Sequence, residues 1–323
     1  MADTAAFTLP GSSIAGQARA ERARRYAATL AATRKPSGGG WLMVAPLVVG
    51  LVVFAVYPLA YLIVLSFSES SLGRPLTEWV GFDNFAYALS GRFGDTLWRT
   101  VFFAVPLSLI QVALGVLVAL LFNSAVRSGS LVRALILLPL MTPPVMVGVA
   151  WKLILNPTGG LVNGMLMSLG LTADPVSFLG TSPWAMLSIG LADTWQWTPF
   201  VAILAFAALQ AIPEDVYEAA RLDGATPVQI FVKVILPMLA PALAAIFLLR
   251  LIMAFKLFDL VYVLTSGGPG FDTNLSTYMI WETLFRDFDV GAASAQTLLF
   301  AITVGVVTLP VTWLHKQAEA LNG

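Results

Sequence analysis

Cysteine is missing from all 323 residues, and histidine occurs once, at His315. The first absence excludes disulfides, thiolate metal sites and cysteine nucleophiles together. With a single histidine near the C-terminus, a haem or zinc membrane enzyme lacks its ligands, and an intramembrane serine protease lacks its base. Charge is scarce too, at 11% of residues, and the net charge is zero, so nothing draws the chain to nucleic acid. The five lysines are followed by Pro36, Leu153, Val234, Leu257 and Gln317. A phosphate-binding loop needs lysine before serine or threonine, so the chain is not its own ATPase. No residue set suggests a catalytic centre, and no metal site is expected.

What is present is apolar. Hydrophobic residues make up 58% of the chain and mean hydropathy is +0.83, far above soluble proteins. Six stretches reach the roughly 20 apolar residues that cross a bilayer: about Trp41–Phe67, Leu97–Phe122, Leu131–Leu155, Pro183–Leu209, Pro241–Leu264 and Ala293–Leu314. The first is too long, and too far from Met1, for a cleaved signal peptide. Arg19, Arg22, Arg24, Arg25, Arg34 and Lys35 precede a Pro36–Gly40 hinge, which marks 1–40 as a basic cytoplasmic segment. Six spans from there return both termini to the cytoplasm, giving a membrane domain over 41–315 and a tail at 316–323. Arg127, Arg133, Arg221, Lys233 and Lys316 fall inside, against Arg74, Arg92, Arg99, Lys152 and Arg286 outside.

One polar interruption, at 211–237, breaks the apolar pattern between the fourth and fifth spans. Pro213 suits the first turn of a helix, and Glu214 and Asp215 place negative charge at its positive end. Asp223-Gly224 supplies a stop, because glycine enters the left-handed region without steric cost. Thr226, Pro227 and Gln229 then spell a second start with a capping box, and Leu236-Pro237 predicts an end or kink. Two capped helices suit a docking surface; a helix pair lying on the membrane surface has the same pattern.

Glu218-Ala219-Ala220, three residues, Gly224, nine residues and Val234-Ile235-Leu236-Pro237 resemble the EAA loop of binding-protein-dependent ABC importer permeases, with valine where that family usually has isoleucine. Trp79–Phe85, Leu138-Pro139 through Trp151 to Asn163, Trp195–Pro199, Ala254–Asp259, Leu264–Pro269 and Asp289–Ala295 are similar to the maltose-type members, so the likeness covers about 40–315. The resemblance implies an all-α membrane protein with six transmembrane helices in the type I ABC importer permease fold. It implies a cytoplasmic helix–Gly–helix loop in which Glu218, Ala219, Ala220, Arg221, Asp223, Gly224, Leu236 and Pro237 couple to an ATPase. The implied partners are a homologous second permease, two ATPase subunits holding ATP and Mg, an external substrate-binding protein and the lipid bilayer. The implied place is a bacterial or archaeal plasma membrane, and the cargo a carbohydrate, polyol or glycerol-phosphate-like solute.

Ionisable residues at membrane depth mark a pathway or a paired structural site. Arg250, Lys256 and Asp259 lie close together in the fifth expected span, with Tyr262 beyond them; Lys256 and Asp259 share a helical face. Either they line the path, or Lys256 and Asp259 pair while Arg250 packs against carbonyls or the partner. Asp193, Trp195, Gln196 and Trp197 combine acceptors, donors and flat apolar faces, a mixture that suits sugars, though at least one tryptophan fits an interfacial belt. Pro46, Pro58, Pro106, Pro139, Pro143, Pro144 and Pro199 serve as pivots or simply set packing. A secondary active transporter is the rival reading; it normally carries two related halves, and no internal repeat is evident.

Overall fold

The structure is a computed structural model that describes residues 21–22, 25–26, 39–124 and 137–322. It divides into a unit ending at Tyr61 and a second from Leu62 onward. The apolar helix α1, Met43–Ser66, begins in the first unit and ends in the second, and its large side chains such as Met43, Leu47 and Phe54 are exposed. A helix apolar all round suits lipid better than water. Of the basic segment at 1–40, only Glu21, Arg22, Arg25, Tyr26, Gly39 and Gly40 are described, with an exposed Glu21–Arg25 ion pair.

In the second unit, a two-stranded hairpin, β1 Ser68–Glu69 and β2 Glu78–Trp79, precedes α2, Asp83–Ser90. Asn84 fastens this cap by donating to the Ser66 and Ser68 carbonyls, each at 3.0 Å, while Phe67 packs on Trp79, Phe82 and Phe85. Next come α3 (Arg92–Ser124), α4 (Pro144–Ile154), α5 (Leu161–Ser168) and α6 (Trp184–Gln210). After these follow α7 (Glu214–Leu222), α8 (Pro227–Phe255), α9 (Asp259–Leu264), α10 (Ser276–Phe285) and α11 (Val290–Asn322).

Among the described residues, four helices are long and apolar enough to cross a membrane, α1, α3, α8 and α11, or five if the bent pair α6–α7 is counted as one span. Of the expected third span, 131–136 lie outside the described residues, and the rest is a helical stretch at 137–141 followed by α4. Pro143 and Pro144 separate the two, since neither has an N–H to continue the ladder. The fifth expected span has different limits. Its helix runs unbroken from Pro227 and stops at Phe255, leaving Asp259–Leu264 as a separate short helix. Pro237 does not end the run at that point. A wide turn over Phe231–Ile235, closed by the Leu236 N–H on the Phe231 carbonyl, comes just before it. Such a turn moves the carbonyl that the proline ring would strike. The same device, Val52–Val56, precedes Pro58 in α1.

The scaffold is a close pairing of α3 with α6, against which α8 and α11 lie. A Cβ on Gly115 would come within 2.4 Å of Val201 Cγ1, so only glycine permits this approach. Small residues such as Ala119, Ala202 and Ala205 accompany it, the usual device where helices associate without a hydrophobic drive. The start of α11 is tied to the hairpin: Val290 and Gly291 donate to the Ser70 carbonyl, and a Cβ on Gly291 would lie 2.3 Å from the Ser68 carbonyl oxygen.

Candidate functional site

Beyond α6 the chain turns through 71° into α7. Pro213 is the N-cap, one position earlier than its first-turn expectation, with Glu214 and Asp215 in the first turn. At the far end the Ala225 N–H reaches the Ala220 carbonyl (3.1 Å) and the Gly224 N–H the Arg221 carbonyl (3.0 Å). These are the paired bonds of a Schellman stop, and Gly224 has φ +74°. Thr226 opens α8 with the capping box: Gln229 N–H donates to Thr226 Oγ1 (3.4 Å), and the Thr226 N–H to Gln229 Oε1 (2.9 Å).

The loop has two faces. Tyr217, Ala220, Ala225, Phe231 and Val234 pack onto a cluster that includes Val116, Leu209, Ile230 and Ile235. Burial, reinforced by Glu214, raises the Tyr217 phenol above its usual range. Glu218, Ala219, Arg221, Asp223 and Gly224 are exposed, whereas Ala220 faces inward and Leu236 and Pro237 lie on the exposed side of α8. Leu222, 89% exposed, and Val228, 72% exposed, stand on the open side without an apolar cover among the described residues. Both lay outside the residues named from the sequence, although each is apolar in a polar segment.

A cavity of about 190 Å³ lies between α6 and the break after α8, lined among others by Asp193, Gln196, Trp197, Lys256, Phe258 and Asp259. Asp193, Gln196 and Trp197 stand three and four residues apart and therefore share a face of α6. Lys256 is the C-cap of α8, and Asp259 opens α9. The break between them is braced by Thr277 Oγ1 donating to the Leu257 carbonyl at 2.6 Å, and Lys152 Nζ holds the Val263 carbonyl at 3.0 Å. Pro144 lines the cavity from α4, and Gln196 Nε2 donates to the Thr142 carbonyl (2.9 Å) at the proline break.

Of the two alternatives open for these charges, the structural pairing of Lys256 with Asp259 does not form. Lys256 and Asp259 form no ion pair among the described residues; Lys256 is exposed, because α8 ends at it and the shared helical face is lost. Arg250 forms a buried ion pair with Asp193, each 1% exposed. Gln111 of α3, which the sequence reading missed, donates to the same Asp193 oxygen at 2.7 Å and to Thr194 Oγ1 at 3.3 Å. Its signal was a lone amide in the run Phe102–Phe122. Trp195, on the other side of α6, meets Trp151 edge to face at 6.2 Å. Tyr262 packs on Trp281 at 5.1 Å, so neither is among the cavity lining. Asp193 Oδ1 and Gln196 Oε1 are buried without a hydrogen-bond partner among the described residues.

A helical membrane scaffold with this bent helix–Gly–helix loop can be compared with known proteins. The family described as binding-protein-dependent transport system inner membrane component matches residues 111–320. The chain belongs to that family. It is therefore a membrane component of a binding-protein-dependent transport system and not an enzyme. The trehalose/maltose transport system permease protein MalF of Thermococcus litoralis is 35% identical over 84% of this chain and 92% of its own. The sn-glycerol-3-phosphate transport system permease protein UgpA of Rhizobium meliloti is 29% identical over 86% and 95%. Among solved structures, a bacterial ABC transporter involved in import of the acidic polysaccharide alginate superposes with a TM-score of 0.76, 24% identity, and coverage of 86% of this chain and 94% of that one. A bacterial alginate ABC transporter in complex with alginate pentasaccharide-bound periplasmic protein gives 0.75 at 23% identity, with coverage of 86% and 93%. These likenesses establish the ABC importer permease fold.

Proposed function

We propose that this chain is the conducting subunit of an ATP-driven importer for a carbohydrate or a related polyol or glycerol-phosphate-like solute. The observation that carries the solute class is the cavity chemistry. Asp193 and Gln196 each have one oxygen without a partner among the described residues, Trp197 adds a flat ring, and Lys256 adds donors. Hydroxyl groups satisfy lone acceptors, and the CH face of a sugar suits an aromatic plane. The relatives' printed solutes, trehalose or maltose and glycerol phosphate, lie in the same class.

In this reading a homologous permease completes the path, two ATPase subunits hold ATP and Mg on the cytoplasmic side, and a soluble binding protein delivers solute outside. Six spans leave both termini on the ATPase side. The exposed face of the loop, with Glu218, Arg221, Leu222 and Val228, fits the ATPase, since apolar residues ringed by charge suit a docking surface.

The test is uptake by the purified complex in proteoliposomes, with its binding protein and labelled trehalose, maltose and glycerol 3-phosphate in turn. ATP-dependent accumulation of at least one is expected. Accumulation driven by an ion gradient without ATP would establish the secondary-transporter reading instead. Glu218→Lys tests the docking face: the ATPase should be lost from detergent-purified complexes, most at low salt. Recovery of the ATPase at wild-type yield would remove Glu218 from the interface.

A further inference from the structure

The Asp193–Arg250 pair is a costly feature that solute binding alone does not explain. Both side chains are 1% exposed, and Arg250 is absent from the cavity lining. Burying two charges is unfavourable unless geometry and extra hydrogen bonds compensate, so the pair needs another reason to be there. Its place in the connectivity supplies one. Asp193 stands on α6, which continues through the 71° bend into α7; Arg250 stands on α8, which runs unbroken from the capping box. From Gln210 back to Asp193 is about 26 Å of helix, and from Leu236 to Arg250 about 21 Å. The two helices that leave the loop are thus cross-tied at the level of the cavity. Gln111 brings α3 into the same node. On the cavity side, Asp193 and Trp197 line the wall, and the Arg250 guanidinium lies 5.5 Å from the Trp197 ring centroid.

We infer that the Asp193–Arg250 pair is the tie that makes α6 and α8 carry loop movement to the cavity as one body. Arg250 is then a positioning residue: it holds Asp193 and Trp197 and does not touch solute. Without the tie, the helices are free to slide past each other, and loop displacement dissipates before it reaches the cavity wall. The inference rests on the importer reading and on the loop as its input.

The experiment compares the wild-type complex with Asp193→Asn/Arg250→Met and with the charge-swapped Asp193→Arg/Arg250→Asp. The readout is solute taken up per ATP hydrolysed, using the labelled solute from the panel above that the wild type imports best. The neutral double variant leaves no buried charge unmatched, so it should reach the membrane. Its uptake per ATP should fall about tenfold, and saturating solute should not restore it. The swapped pair should recover part of that loss. Arg250→Lys, which keeps charge but loses the guanidinium fork, should give an intermediate ratio at full protein level. A wild-type ratio in the neutral double variant overturns the tie, and so does a deficit that saturating solute repairs, because that marks a binding role. Failure of the wild type itself to couple uptake to ATP would count against the importer reading and not against the tie.

Discussion

The helix–Gly–helix loop and the cavity are built on different scales. In the loop the decisive bonds span three to five residues: Thr226 with Gln229, Gly224 with Arg221, Ala225 with Ala220. In the cavity they span 82 residues from Gln111 to Asp193, 57 from Asp193 to Arg250 and 54 from Thr142 to Gln196. A loop stabilised by its own backbone keeps its shape while the helices beneath it move. A cavity assembled from four helices changes shape whenever any of them moves. That division suits a machine in which one part receives force and the other responds to it.

The sharpest way to break the comparison is Gly224→Val. No neighbouring heavy atom lies within 4 Å of an added Cβ there, so the effect is backbone strain alone, at φ +74°. A left-handed β-branched residue costs about 1–2 kcal/mol, a five- to thirtyfold shift away from the native corner. Uptake per membrane-inserted protein should fall by a similar factor, whereas Gly224→Asn should keep most of it, since asparagine tolerates this region. Equal losses in both variants would show that the corner is sensitive to bulk and not to conformation.

Removing the capping box with Thr226→Ala should cost about 1 kcal/mol locally. Hydrogen exchange of the Thr226–Ile230 amides should rise, while exchange at Asp193 and Gln196 stays unchanged. Faster exchange at the cavity would mean that the loop's shape is not self-contained. The smallest effect is expected of Lys256→Met. Lys256 is exposed and has no ion-pair partner among the described residues, so membrane protein level should match wild type, with a change confined to the solute concentration giving half-maximal uptake. A fall in level would restore a structural Lys256–Asp259 pair.

The same difference of scale decides what could be read from the sequence. The capped loop was legible because its signals, proline, glycine and a Thr–Gln spacing, act on their immediate neighbours. The apolar runs were legible because composition alone marks a span. The partner of Arg250 was not, since Asp193 lies on another helix and nothing local points to it; Lys256–Asp259 was the nearest complementary spacing and lost to the helix ending at Phe255. Trp195 and Trp197 are two residues apart, and on a helix that puts them on different faces, so only Trp197 reaches the cavity. Pro237 does not end its helix, for a related reason: the wide turn before it moves the carbonyl that its ring would strike.

That wide turn at Phe231–Ile235 also sets a phase. One residue more than a regular turn rotates everything after it by about 100° relative to everything before. Deleting a single residue there would leave the loop and its capping box intact, and would also leave α8 helical and apolar. It would nevertheless swing Arg250 about a quarter-turn away from Asp193, so the clocking of the loop against the cavity hangs on one inserted residue.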